Sequence, residues 1–236
     1  MAHPFVNYAH RGASEYLPEN TMLSFYTGLY MDANGIETDI QRTKDGVLVL
    51  FHDSTLQRVT GEAGSVPDYT FEELQRFFVK KNGHCDKITK FEDFLQHFAF
   101  RDITFAIELK GAGVETDTAD LLRKYDMAEK TVVTSFHYDY LENFRAHAPE
   151  FQIGWLVKEV TEETLAALKA LGAEEICPLA ETLTKEQVDA WHAAGLRVRA
   201  WGVGNEDIMR HAYTCGVDGM TVNFPDRLTA LLRTQN

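Results

Sequence analysis

Short apolar runs alternate with amphipathic segments along the whole chain, and this beat limits the fold more than any other feature. Strand-like runs are read at residues 5–9, 36–41, 47–51, 103–109, 131–135, 153–157, 175–179, 198–203 and 219–222. Helical periodicity is read over 21–33, 71–78, 91–98, 115–125, 138–148, 161–171, 185–194, 206–215 and 227–232. Gly172, Gly195 and Gly216 follow three of these helices, where a left-handed residue closes the last turn. Strand–helix alternation implies parallel strands. About eight such units in 236 residues suit an α/β fold of the closed (β/α)₈ TIM-barrel type. The rival, an open doubly wound sheet, more often carries a Gly-x-Gly-x-x-Gly loop after its first strand, and that motif is absent. The one irregularity is a hairpin-like return at 47–51 after the turn Lys44-Asp45-Gly46, with residues 61–84 as the place for a small insertion after the second strand. No linker or low-complexity tract interrupts residues 1–236, which read as a single domain.

Polar clusters fall at the ends of these strand runs. His10-Arg11-Gly12 closes the first, Glu37 and Asp39 lie on the second, His52 closes the hairpin-like return, and Glu108 and Lys110 end the run at 103–109. Active residues of parallel barrels sit at the carboxyl ends of their strands, so these groups converge on one mouth. Glu37 and Asp39 are two apart and share a strand face, as do Glu108 and Lys110. Three carboxylates in a partly dry pocket repel one another, so they either hold protons or bind a cation. All-oxygen ligation favours a hard ion, Mg²⁺ or Ca²⁺, over zinc. His10 and His52 are candidates for proton transfer, since imidazole exchanges protons near neutral pH. Arg11 and Lys110 can neutralise phosphate oxygens, with a salt bridge to Glu108 or Glu37 as the plainer use of Lys110. The set suits metal-assisted attack on phosphorus.

Composition narrows the partners. A net charge of -13 argues against sequence-independent nucleic-acid binding and against docking to an anionic membrane surface. No run is long enough for stable membrane insertion, and the N-terminus lacks a basic segment followed by an apolar one. Cys85, Cys177 and Cys215 are odd in number and show no Cys-x-x-Cys spacing, as expected of reduced thiols in a cytoplasmic protein. The sequence leaves oligomeric state open.

The ordered motifs resemble those of the glycerophosphodiester phosphodiesterase family, whose fold is a (β/α)₈ barrel. They are His10-Arg11-Gly12, Pro18-Glu19-Asn20-Thr21, Glu37-x-Asp39, His52-Asp53-x-x-Leu56-x-Arg58, Glu108-x-Lys110 and Gly216-Val217-Asp218-Gly219. The resemblance implies hydrolysis of glycerophosphodiesters, such as glycerophosphocholine or glycerophosphoethanolamine, to glycerol 3-phosphate and an alcohol. It implies one divalent cation, Mg²⁺ or Ca²⁺, held by Glu37, Asp39 and Glu108, with His10 and His52 as the acid–base pair and Arg11 on the phosphate. Trp201 is expected to line the substrate pocket, with burial in the core as the competing reading. The chain departs from the family's frequent Trp-Thr-Val-Asn at the seventh strand, reading Trp201-Gly202-Val203-Gly204 before Asn205. Two other readings use the same residues: cleavage of lysophospholipids in the manner of a phospholipase D, and a non-catalytic barrel that binds phosphodiesters.

Overall fold

The computed structural model describes residues 5–235. The chain enters as strand β1 (Val6–His10), followed by helix α1 (Met22–Tyr30), β2 (Gly35–Arg42) and a short β3 (Leu48–Leu50). An excursion then carries two one-turn helices, α2 (Gln57–Thr60) and α3 (Phe71–Leu74), and a hairpin of β4 (Val79–Lys81) and β5 (His84–Asp86). After α4 (Phe91–Phe98) the alternation is regular through β6 (Thr104–Leu109), α5 (Glu115–Lys124), β7 (Thr131–Ser135), α6 (Tyr138–His147) and β8 (Gln152–Val157). It continues through α7 (Glu162–Leu171), β9 (Glu175–Pro178), α8 (Lys185–Ala193), β10 (Arg197–Val203), α9 (Glu206–Cys215), β11 (Gly219–Val222) and α10 (Pro225–Gln235).

Strand β1 pairs in parallel with both β11 and β2, so the sheet has no free edge there and closes into a barrel. The order is β1-β11-β10-β9-β8-β7-β6-β2, with β3 added antiparallel to the end of β2, Ile40 opposite Leu50. This is the expected (β/α)₈ fold with its hairpin-like excursion. The open-sheet rival is thereby excluded.

Packing follows the periodicity. On α4, Phe91, Phe94, Leu95 and Phe98 recur at helical spacing and are fully buried. Phe94 meets Phe25 edge-on at 4.8 Å and Phe105 of β6 at 5.9 Å, which joins two helices to the barrel wall. Each such ring is worth about 1.5–3 kcal/mol of burial. The three glycines expected after helices, Gly172, Gly195 and Gly216, all have positive φ. A separate apolar cluster of Val49, Phe51, Leu56, Val66, Leu74, Val79 and Ile88 lies under the excursion.

The structure departs from expectation at 71–78, where only Phe71–Leu74 is helical. A Thr70/Glu73 capping box starts that turn. Beyond it Val79 is drawn into a ladder with Asp86 and Phe77 packs on Tyr69 at 5.2 Å, so tertiary pairing overrides the helical pattern. The β4–β5 hairpin was not expected, although Asn82-Gly83, both with positive φ, is the dipeptide that two-residue hairpins favour. The last helix begins earlier than read, with Pro225 at its first position. Among the described residues no helix is long and apolar enough to cross a membrane.

Candidate active site

Closure of the barrel brings the polar strand ends together. His10 is in register with Glu37 across β1–β2, and Asp39 with Glu108 across β2–β6. A cavity of about 220 Å³ at this mouth is lined by His10, Arg11, Glu37, His52, Glu108, Lys110 and Trp201, with Asp39 fully buried beside them. The eight candidate site residues, His10, Arg11, Glu37, Asp39, His52, Glu108, Lys110 and Trp201, are therefore gathered at one site.

One oxygen from each of Glu37, Asp39 and Glu108 lies within 4.8 Å of the others, and all three residues are buried. Burial, then the Asp39 charge, raises the Glu108 carboxyl to about 7 despite Lys110 Nζ at 2.7 Å. The same two causes raise Glu37. Asp39 goes the other way: burial is outweighed by Arg11, His52 and Lys110 and by the Asn20 amide, which donates to Oδ2 at 2.8 Å. Its Oδ1 accepts no hydrogen bond among the described residues, although it is buried. A buried carboxylate oxygen without a donor is costly. The donor set thus fits a hard divalent cation. A second group, Glu19, His52 and Asp53, is similarly close, but Arg58 already bonds both of its carboxylates.

Arg11 reaches this position through an unusual backbone. Arg11 and Gly12 both have positive φ, turning the chain sharply off β1. A Cβ on Gly12 would lie 2.4 Å from the Ser24 backbone, so only glycine fits. The turn aims the Arg11 guanidinium at Asp39 Oδ2 (Nε, 3.1 Å) and Glu19 Oε1 (Nη1, 3.0 Å). Glu19 accepts in turn from Arg58, which clamps Asp53 through Nε at 2.5 Å and Nη2 at 2.8 Å. Lys110 pairs with Glu108 and lies 3.7 Å from Asp39, rather than with Glu37.

The two histidines are held alike at one nitrogen and by different partners. His10 Nδ1 meets Asn223 Oδ1 at 2.6 Å, and His52 Nδ1 meets Asp53 Oδ1 at 2.7 Å. Both oxygens are acceptors, so each ring carries its proton on Nδ1 and leaves Nε2 for the cavity. His10 Nε2 lies 3.8 Å from Glu37. Burial, then Arg11, pushes His10 down to about 3; burial also lowers His52, with Asp39 and Asp53 opposing.

Trp201 is half-buried on the cavity wall, its Nε1 donating to Val157 O at 3.1 Å and its ring edge-on to Phe136 at 4.9 Å. The register of β10 against β11 shifts between Ala200 and Val203, and Gly202 takes φ +74 at that irregularity. The glycine that departs from the family pattern therefore supports the local bulge. Asn205 caps α9, accepting from Ile208 N at 2.9 Å. Sequence reading missed Asn223, Phe136, Thr221 and Arg199 of this site. Asn223 follows the strand-like run 219–222, where a strand-end reading had a signal; Arg199 gave none, being one cation in a run expected to be apolar.

A closed parallel barrel with acids, imidazoles and cations at the carboxyl ends of its strands has the architecture of (β/α)₈ enzymes. The chain belongs to the Glycerophosphoryl diester phosphodiesterase family, whose profile matches residues 10–227. It is 34% identical to a glycerophosphodiester phosphodiesterase of Bacillus altitudinis, over 93% of this chain and 95% of that one. It is 30% identical to another from Caldanaerobacter subterraneus subsp. tengcongensis, over 95% and 96%. A glycerophosphoryl diester phosphodiesterase of known structure from Parabacteroides distasonis superposes with a TM-score of 0.81 at 25% identity, over 99% of this chain and 88% of that one. A phosphodiesterase from Oleispira antarctica shares the fold, with a TM-score of 0.87 at 23% identity over 97% and 96%.

Proposed function

We propose that the protein hydrolyses glycerophosphodiesters, such as glycerophosphocholine or glycerophosphoethanolamine, to glycerol 3-phosphate and an alcohol. The observation that carries this reading is two imidazoles, each with Nε2 free toward the cavity, facing three buried carboxylates. Family membership and the phosphodiesterases that this chain resembles point to the same substrate class. Glu37, Asp39 and Glu108 would hold Mg²⁺ or Ca²⁺. When bound, that ion supplies Lewis-acid stabilisation of charge building on the phosphate oxygens.

The chain's own groups do the rest. Arg11 and Lys110 put positive charge beside the phosphate, and their carboxylate partners fix where that charge lies. His10 is buried beside the Arg11 guanidinium, and both keep it neutral, so it is the base that takes a proton from the nucleophile. His52 has a carboxylate partner, which opposes the lowering that burial causes, so of the two it is the acid that protonates the departing alkoxide. Trp201 and Phe136 form an apolar wall that keeps the organic part of the diester out of water. A cavity of about 220 Å³ suits a small diester better than an acyl chain, which favours this reading over lysophospholipid cleavage.

The test is metal removal. Chelation should abolish turnover of glycerophosphocholine, and Mg²⁺ or Ca²⁺ should restore it. Full turnover by demonstrably metal-free protein would sink the assignment of Glu37, Asp39 and Glu108.

A further inference from the structure

A charge that none of these roles uses lies deeper in the same cavity. Arg199 precedes Trp201 by two residues on β10, so it faces the same way and sits about 6–7 Å farther from the mouth. It is 2% exposed and yet lines the cavity. Its Nε donates to Glu175 Oε1 at 2.8 Å, Nη1 to Thr221 Oγ1 at 2.8 Å and Nη2 to Cys177 Sγ at 3.3 Å. The ring of Tyr8 lies 5.1 Å from the guanidinium carbon. Branched apolar side chains usually fill this layer of a parallel barrel. A buried ion pair is a poor substitute for them in stability alone, because desolvation of both charges offsets their attraction.

A guanidinium carries five N–H donors. Three are spent among the described residues, one of them on sulfur, a weak acceptor. Two remain on the terminal nitrogens of a side chain that lines the cavity. Thr221 also lines the cavity, and accepting from Arg199 leaves its own hydroxyl hydrogen free to donate. Glu175 neutralises the guanidinium and fixes its orientation before any ligand arrives.

Resting on the phosphodiesterase reading above, we propose that Arg199 is a substrate-binding residue that receives the hydroxyl oxygens of the glycerol end of the diester. The phosphorus lies where His10 and His52 can reach, so one ester arm points inward and the other toward solvent. A choline or ethanolamine arm ends in an ammonium, which offers no acceptor to the spare N–H groups. Glycerol is neutral and its hydroxyls accept from the spare N–H groups. A water occupies about 30 Å³ of liquid volume. A cavity of about 220 Å³ therefore holds a phosphate and a three-carbon polyol, and the second arm stays outside. The enzyme selects the buried hydroxylated arm and tolerates variety in the outward alcohol.

The test compares glycerophosphocholine with propylphosphocholine, the same diester without the two hydroxyls, under saturating Mg²⁺ or Ca²⁺. Wild-type protein should prefer glycerophosphocholine in kcat/KM. Arg199→Met should shrink that preference by about 10–100-fold, the worth of one hydrogen bond to a charged group. Arg199→Lys keeps the charge with fewer donors and should fall between. Since Arg199→Met strands the Glu175 carboxylate, the double variant Glu175→Gln/Arg199→Met is measured as well and should lose the same preference. A variant that slows both diesters equally marks Arg199 as purely structural and overturns the inference. Wild-type protein that cleaves both equally well also overturns it. Protein that cleaves neither takes down the phosphodiesterase reading itself.

Discussion

At the scale of single residues, His10 and His52 present the same nitrogen to the cavity and differ in what stands behind it. Asn223 offers His10 a neutral oxygen, whereas Asp53 offers His52 a carboxylate that Arg58 holds from two sides. A carboxylate stabilises the imidazolium more than an amide oxygen does, and burial beside Arg11 keeps His10 neutral, which divides the pair into acid and base. His10→Ala and His52→Ala should each lower kcat on a natural diester by about 10²–10⁴-fold. A nitrophenyl phosphodiester has a leaving group that departs unprotonated. It should restore much of the rate to His52→Ala and little to His10→Ala. The opposite pattern exchanges the two roles, and wild-type turnover in both variants sinks the acid–base reading.

At the scale of elements, the β4–β5 hairpin braces the catalytic loop from a distance in sequence. Lys81 Nζ donates to Ser14 O at 2.5 Å and Asn82 Nδ2 to Tyr16 O at 3.1 Å. Ser14 Oγ donates at 3.0 Å to the same Asn223 oxygen that holds His10. The excursion therefore supports the site as well as covering its own apolar cluster. Lys81→Met removes one hydrogen bond, worth about 1 kcal/mol, so the melting temperature should fall by about 2–4 °C. A loosened His10 should cost kcat up to about 10-fold, short of the 10²-fold that follows a 1 Å misplacement. Steady-state kinetics beside a melting curve separates the two effects. Unchanged kcat with a lowered melting temperature would reduce the hairpin to a cover.

At the scale of the whole molecule, the buried acidic site couples stability to pH and to metal. Glu108 rises from its ordinary 4.5 to about 7, and Glu37 rises with it, because burial and the Asp39 charge penalise further negative charge. Between about pH 4.5 and pH 7 the folded, metal-free protein binds more protons than the unfolded chain, so its stability falls as pH rises through that window. The stabilisation is complete below 4.5 and lost above the folded value. A divalent cation displaces those protons and reverses the penalty. Melting curves with a chelator should therefore diverge from curves with Mg²⁺ as pH increases from 5 to 8. Calorimetry should register proton release on Mg²⁺ binding at pH 6 that shrinks at higher pH. A melting gap constant across that range would refute the linkage.

Features that depend on neighbours a few residues away are legible in the chain alone. The period of two put Glu37 and Asp39 on one strand face, helical spacing marked 91–98 with the bounds α4 has, and glycines marked helix ends. Asn82-Gly83 carries an equally local signal for a hairpin turn. Tertiary structure decided what depends on closing the barrel. Only closure sets Asp39 beside Glu108 and His10 beside Asn223, 213 residues away. It also cut the helix at 71–78 short by pairing Val79 with Asp86. Arg199 reads locally as a polar interruption of an apolar strand and gains its meaning only from Glu175, Cys177 and Thr221 on adjacent strands. Dihedral preferences and caps act within one turn, whereas the partner of a buried charge is fixed by the register of strands that the chain brings together last.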